Sequence, residues 1–191
     1  MTTLRITGAE TLSSGHLALR RYTVEQIRRD GTRETLRREV CVSRRSVAVL
    51  LADPARGTVL LVRQPRVPAL VNGDDPLLLE ACAGNIDDGE SPEAAARREV
   101  EEETGHAIAR LRPLFELYPS PGISSERLCL FQAEIGPRIG QGGGMTEEGE
   151  DIALVEMPFD EAWAMMERGG IVDAKTVILL QQARLHGLAV G

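Results

Sequence analysis

Residues 84–105 constrain the chain more than any other stretch, because start, stop and charge pattern are all spelled out by residues with narrow conformational meaning. Ser91 is a strong N-cap, Pro92 suits the first helical position and Glu93 suits the first turn. Together they predict a helix running through Thr104, with Gly105 as the left-handed residue that ends it. On that helix Glu99, Glu102 and Glu103 stand three and four residues apart and share one face. Like charges stacked in this way are destabilising. That cost argues for a compensating cation, and hard carboxylate oxygens favour Mg²⁺ or Mn²⁺ over softer metals. Arg98, one turn before Glu102, is placed to orient a carboxylate, and the loop 84–89 can bring backbone carbonyls to the same ion. The alternative is a solvated Glu-rich helix.

The rest of the chain predicts a β-rich order with inserted helices, hence a mixed α/β sandwich rather than a regularly alternating parallel sheet. Two strands are expected within residues 16–42, around the turn at Asp30-Gly31, both heavily loaded with arginine. A ribbon this polar is marginal alone. Residues 1–43 are therefore expected to form a hairpin region that serves as the dimerisation element of a homodimer, with residues 44–191 as the main domain. Further strands are expected at 46–52, 58–64, 77–82, 114–118, 128–134 and 153–157, with a loop at 71–76. Helices are expected at 158–167 and from Asp173 to about His186.

Composition limits the partners. A net charge of -7 disfavours nucleic acid, whose binding depends on Lys/Arg neutralising phosphates. It leaves room for a small phosphate ligand held through a cation. Cys41, Cys82 and Cys129 have no zinc spacing and read as reduced thiols. The first ten residues lack a signal-peptide core, and no apolar run reaches the ~18 residues of a membrane span. No membrane association and a cytoplasmic location are expected.

Residues 84–105 resemble the Nudix box. Gly84, five residues, Glu90, seven residues, Arg98-Glu99, an apolar residue, one residue, Glu102-Glu103, one residue and Gly105 reproduce its fixed positions. Chance agreement at ~7% usage per residue type is on the order of 10⁻⁸ per starting point, which decides against a decorative acidic helix. His106 departs from the aliphatic residue that usually closes the box. The resemblance implies the α/β/α Nudix sandwich with a mixed sheet for residues 44–191, and metal-assisted attack of water on a diphosphate. It implies Glu99 and Glu103 as metal ligands, Glu102 sharing the ions, the Ala83 carbonyl as a further ligand, and Gly84, Glu90, Arg98 and Gly105 as supporting residues.

The segment from Leu78 through Glu80 to Gly84, with Ser120-Pro121-Gly122 sixteen residues past the box glycine, resembles the nucleoside-diphosphate-sugar branch of that family. Val71-Asn72-Gly73 and the three glycines 142–144 before Glu147 and Glu148 resemble its GDP-mannose pyrophosphatases. The expected reaction is GDP-mannose to GMP and mannose 1-phosphate. The rival is ADP-ribose to AMP and ribose 5-phosphate, and a non-catalytic nucleotide-sugar sensor is the alternative of another class. Candidate substrate contacts are Arg37, Arg38, Arg66, Glu80, Ser120 and Gly122, with Lys175 a further candidate. Glu102 and Glu103 are also expected to be catalytic, and Glu148 or Glu150, swung over the site by a flexible glycine-rich segment once substrate binds, is expected as general base or extra metal ligand.

Overall fold

The computed structural model describes residues 1–15, 17–145 and 151–190. Its Cα framework divides into two compact units: Met1–Arg44 with Tyr118–Arg127, and Arg45–Leu117 with Leu128–Gly191.

The first unit is an antiparallel sheet of three strands, β1 (Thr3–Ser14), β2 (Ala18–Ile27) and β3 (Arg33–Val42), in the order β1-β2-β3. Sequence reading anticipates β2 and β3 and misses β1. The reason is physical: β1 shows almost no buried face, so it lacks the period-two apolar signal that marks a strand. Ion pairs between strands use the arginines, with Arg5 on Glu25 and Arg21 on Glu39. Segment 118–127 adheres to β3 through its backbone, with Cys41 N–H donating to Ile123 O at 2.8 Å and Ser125 N–H donating to Cys41 O at 3.0 Å.

The second unit is a seven-stranded sheet between helices. Its strands are β4 (Arg45–Asp53), β5 (Thr58–Pro65), β6 (Leu77–Glu80), β7 (Cys82–Asn85), β8 (His106–Leu117), β9 (Arg127–Arg138) and β10 (Ala153–Pro158). The main path runs β10-β5-β4-β9-β8, with β6 paired to β5 and β7 to β4. The helices are α1 (Val67–Asn72), α2 (Pro92–Thr104), α3 (Phe159–Glu167) and α4 (Ala174–His186).

Strand β4 shows why the layers form. Its apolar run is buried on both faces, as in a sheet covered by helices on each side. Ala48, Leu50 and Ala52 join a core with Ala162 of α3 and Leu179, Leu180 and Ala183 of α4. Val47, Val49 and Leu51 join a separate core with Ala95, Ala96 and Val100 of α2. The α/β/α sandwich is therefore present, with α2 on one face and α3 and α4 on the other.

Three local expectations need correction. Residues 67–72 form a short helix where a loop is expected only from 71, since Pro68 at its start and Gly73 in the left-handed region at its end bracket it. The expected strand 77–82 is two strands, β6 and β7, which pair with different neighbours. Strand β8 is far longer than 114–118, because arginines and Pro113 interrupt the pattern while β9 supplies a partner along its whole length. Among the described residues no cysteine forms a disulfide; Cys82 and Cys129 are buried and Cys41 is half-buried.

Candidate active site

Helix α2 starts where its cap chemistry requires. The Ser91 hydroxyl accepts from Ala94 N–H at 3.1 Å, and Glu90 reaches back to accept from Asp87 N–H at 3.1 Å. Gly105 ends the helix with φ 72°. Along the exposed-to-buried edge of α2, Arg98 gathers the acidic residues. Its guanidinium donates to Glu90 at 3.0 and 3.1 Å, to Glu99 at 2.8 Å, to Glu102 at 3.0 Å and to the Asn85 carbonyl at 2.8 Å. The hydrogen bond from Arg98 holds the Glu90 carboxyl below the ordinary range, and the same contact raises Arg98 further above its own. The charge repulsion on this face is thus offset in part by a guanidinium of the chain itself.

Glu103 lies deeper, only 1% exposed, and accepts from Ala83 N–H at 3.2 Å. Ala83 and Gly84 are on β7, paired with Ala48 and Val47 of β4. A Cβ on Gly84 would fall inside the Glu99 carboxylate, so a glycine is required for Glu99 to lie against this backbone. The β7 backbone and α2 therefore converge on Ala83, Gly84, Glu99 and Glu103.

A second cluster joins β5, β6 and the start of α4. Arg66 donates to both oxygens of Glu80, at 2.7 and 2.9 Å, and Lys175 donates to Glu80 as well. Asp173 caps α4, accepting from Thr176 N–H at 2.9 Å, and also accepts from Lys175 at 2.9 Å. Thr176 Oγ1 in turn accepts from Ala81 N–H at 2.7 Å. Glu80 is 1% exposed. Burial alone would raise its pKa; the hydrogen bond from Arg66 and the charge of Lys175 outweigh it and hold the carboxyl below the usual range. Glu80 therefore fixes two cations from beneath rather than presenting itself to solvent. The charge of Glu103 also acts on Arg66, which links this cluster to α2. Sequence reading misses Asp173 as an anchor of Lys175, and it misses Gln64, whose buried amide nitrogen has no hydrogen-bond partner among the described residues. An orphan donor of this kind costs ~1–3 kcal/mol, and no pattern in the sequence signals it.

Arg37, Arg38, Ser120 and Gly122 all belong to the first unit. Arg37 and Arg38 are exposed on β3 and, among the described residues, neither pairs with a carboxylate. Ser120 and Gly122 lie in the turn whose Ser120 carbonyl accepts from Ser124 N–H at 2.9 Å. Glu148 and Glu150 lie outside the described residues. In the glycine-rich segment before them, residues 139–144 are hydrogen-bonded onto the end of α2, with Gly143 N–H donating to Glu103 O at 2.8 Å.

The family model for the NUDIX domain matches residues 42–180. The chain belongs to the Nudix family. A further model, the GDP-mannose pyrophosphatase NudK N-terminal domain, matches residues 3–40 of this Nudix hydrolase. A GDP-mannose pyrophosphatase of Pectobacterium atrosepticum is 44% identical over 177 residues, covering 92% of this chain and 91% of its own. That of Cronobacter sakazakii is 44% identical over 180 residues, covering 93% of each. Among solved structures, one described as an ADP compounds hydrolase superposes with a TM-score of 0.74 at 23% identity, covering 96% of this chain and 95% of that one. At that identity the likeness concerns the fold.

The donors on α2 and β7 fit a hard divalent cation in chemistry: carboxylate oxygens beside a backbone that a side chain at position 84 would block. As the side chains stand, no three acidic, imidazole or thiol groups are gathered as a metal cluster among the described residues, since Arg98 draws Glu99 and Glu102 to itself. An arriving cation would compete with Arg98 for these two carboxylates in this Nudix hydrolase.

Proposed function

We propose that this Nudix hydrolase cleaves the diphosphate bond of a nucleoside diphosphate sugar, with Mg²⁺ as cofactor (Mn²⁺ as substitute) and GDP-mannose as substrate, giving GMP and mannose 1-phosphate. The observation that carries the reading is the identity of 44% to GDP-mannose pyrophosphatases across 92% of the chain. That similarity takes in the N-terminal sheet as well as the box.

In this reading Glu99, Glu102, Glu103 and the Ala83 carbonyl would hold the divalent ions, which when bound would supply charge stabilisation at the diphosphate and activation of the attacking water. Arg98, pinned by Glu90 and Asn85 O, sets the direction of Glu99 and Glu102. Arg66 and Lys175, held over buried Glu80, offer fixed positive charge to the anionic substrate. Glu80 then acts as their positioning residue. Arg37, Arg38, Ser120 and Gly122 are proposed as substrate contacts, and Glu148 or Glu150 as general base. The enzyme is proposed to work as a homodimer in the cytoplasm, without nucleic-acid partners. The net charge of -7 supports the last point, and among the described residues no helix is long and apolar enough to cross a membrane.

A panel of nucleotide sugars and ADP-ribose, assayed with Mg²⁺, with Mn²⁺ and with chelator, tests the proposal. GDP-mannose should show the highest kcat/KM, with GMP and mannose 1-phosphate released, and chelator should abolish turnover. A preference for ADP-ribose would reassign the substrate; turnover untouched by chelator would remove the metal.

A further inference from the structure

Helix ends leave four carbonyls without helical partners, and at the end of α2 these lie beside the carboxylates of Glu102 and Glu103, where the negative end of the helix dipole already disfavours them. Two carbonyls of the last turns are capped from nearby chain. Thr104 Oγ1 donates to Val100 O, and Gly105 N–H donates to Glu101 O at 2.8 Å. The next two carbonyls are reached from a distant stretch of sequence: Gly144 N–H donates to Glu102 O at 3.1 Å and Gly143 N–H to Glu103 O at 2.8 Å. The stretch is fastened at its other end too. Ile139 N–H and Gly140 N–H both donate to Gly105 O, at 2.8 and 2.9 Å. Arg138 donates to Gly140 O at 3.1 Å and Gln141 O at 2.8 Å.

This strap is possible only with glycine. Gly142, Gly143 and Gly144 carry φ of 70°, 102° and 79°, a run of left-handed backbone that side chains rarely adopt. A Cβ on Gly142 would also press on the α2 backbone, 2.8 Å from Gly105 N and 2.9 Å from Glu103 O. Two residues earlier the situation differs. Gly140 has no positive φ, and a Cβ there would meet only Gly105 Cα at 3.6 Å, an ordinary contact.

We propose that residues 139–144 are a positioning strap for the divalent-cation ligands. By gripping the carbonyls of Glu102 and Glu103, the strap sets where the last turn of α2 stands against β7, and so where these two carboxylates are presented. The inference rests on the reading of Glu102 and Glu103 as metal ligands given above. It assigns Gly142, Gly143, Gly144 and Arg138 a role that is exerted through the helix and not by touching substrate.

The test is Mn²⁺ binding to the full chain, followed by loss of the free-ion EPR signal, with kcat and KM for GDP-mannose measured alongside. Gly140→Ala should bind Mn²⁺ within about twofold of wild type. Gly142→Ala should weaken binding by about 10-fold or more, the scale of disturbing a ligand's support, while KM at saturating Mn²⁺ changes less than about twofold. Circular dichroism reports whether Gly142→Ala folds. Should it not, Arg138→Gln, which loosens the strap from an exposed position, decides by the same readout. Wild-type Mn²⁺ affinity in a folded Gly142→Ala, or in Arg138→Gln when that variant has to decide, overturns the strap. Glu103→Gln separates the two ideas. If it weakens Mn²⁺ binding and the strap variants do not, the strap alone fails; if it binds as wild type, the ligand reading fails and the strap with it.

Discussion

Arg98 serves four acceptors from one guanidinium: Glu90, Glu99, Glu102 and the Asn85 carbonyl. Lysine, a point charge, cannot reproduce the planar fork. Arg98→Lys is expected to lower kcat/KM by roughly 10- to 100-fold, the range for losing the partner that orients a metal ligand. Kinetics titrated with Mg²⁺ check this: the variant should need more metal to reach half its maximal rate. Glu103 makes a different prediction because it is buried against Ala83 N–H. Glutamine can still accept that hydrogen bond through its oxygen but carries no charge for a cation. Glu103→Gln should therefore melt close to wild type while kcat falls by roughly 10²–10³-fold, as when one stabiliser of transition-state charge is lost. Undiminished turnover in that variant would remove Glu103 from the ligand set.

Among elements, the start of α4 carries the clearest pH signature. Its cap Asp173 and the first-turn Lys175 are tied to Glu80 of β6, whose pKa is lowered in the fold by Arg66 and Lys175 despite burial. A carboxyl with a depressed folded pKa binds fewer protons folded than unfolded, so its contribution to stability is present above the unfolded value. That contribution is lost as pH falls from the ordinary carboxylate value of 4.5 through the lowered folded one. Glu80→Gln should thus flatten the acid limb of the stability curve below about pH 4.5 while lowering stability at neutral pH. Thermal melts across pH 3 to 7, on the order of the carboxylate range, check it; an unchanged acid limb would falsify the assignment. Element boundaries show what sequence reveals. The Ser91 cap and Gly105 stop of α2 are legible because both answer local backbone demands. Helix α1 is not, because six residues with no buried side chain carry no periodicity.

On the scale of the molecule, the N-terminal sheet bears on assembly. It is three strands of mostly exposed, charged residues, and its family model is separate from that of the box domain. A sheet of this kind gains little by burying its own side chains, and a second copy of the chain is the expected partner. Light scattering behind size exclusion should give twice the 20.8 kDa of the chain. A mass of one chain would sink the homodimer, and Arg37 and Arg38 would then have to serve their own subunit or none.

Residues 84–105 alone determined the acidic helix, its limits and the family, because caps, charge spacing and fixed glycines are local properties that a chain carries wherever it goes. The apolar run of β4 likewise announced a strand covered on both faces. Burial and pairing across long separations were decided only by the tertiary structure. Glu80 reads in sequence as a candidate substrate contact, and becomes an anchor because Arg66, fourteen positions away, and Lys175, ninety-five away, fold over it. Residues 139–144 read as a loose glycine tether, and become a strap because the orphan carbonyls of α2 lie within reach of their N–H groups. Glycine's freedom allows either outcome, and only the neighbour it meets selects one.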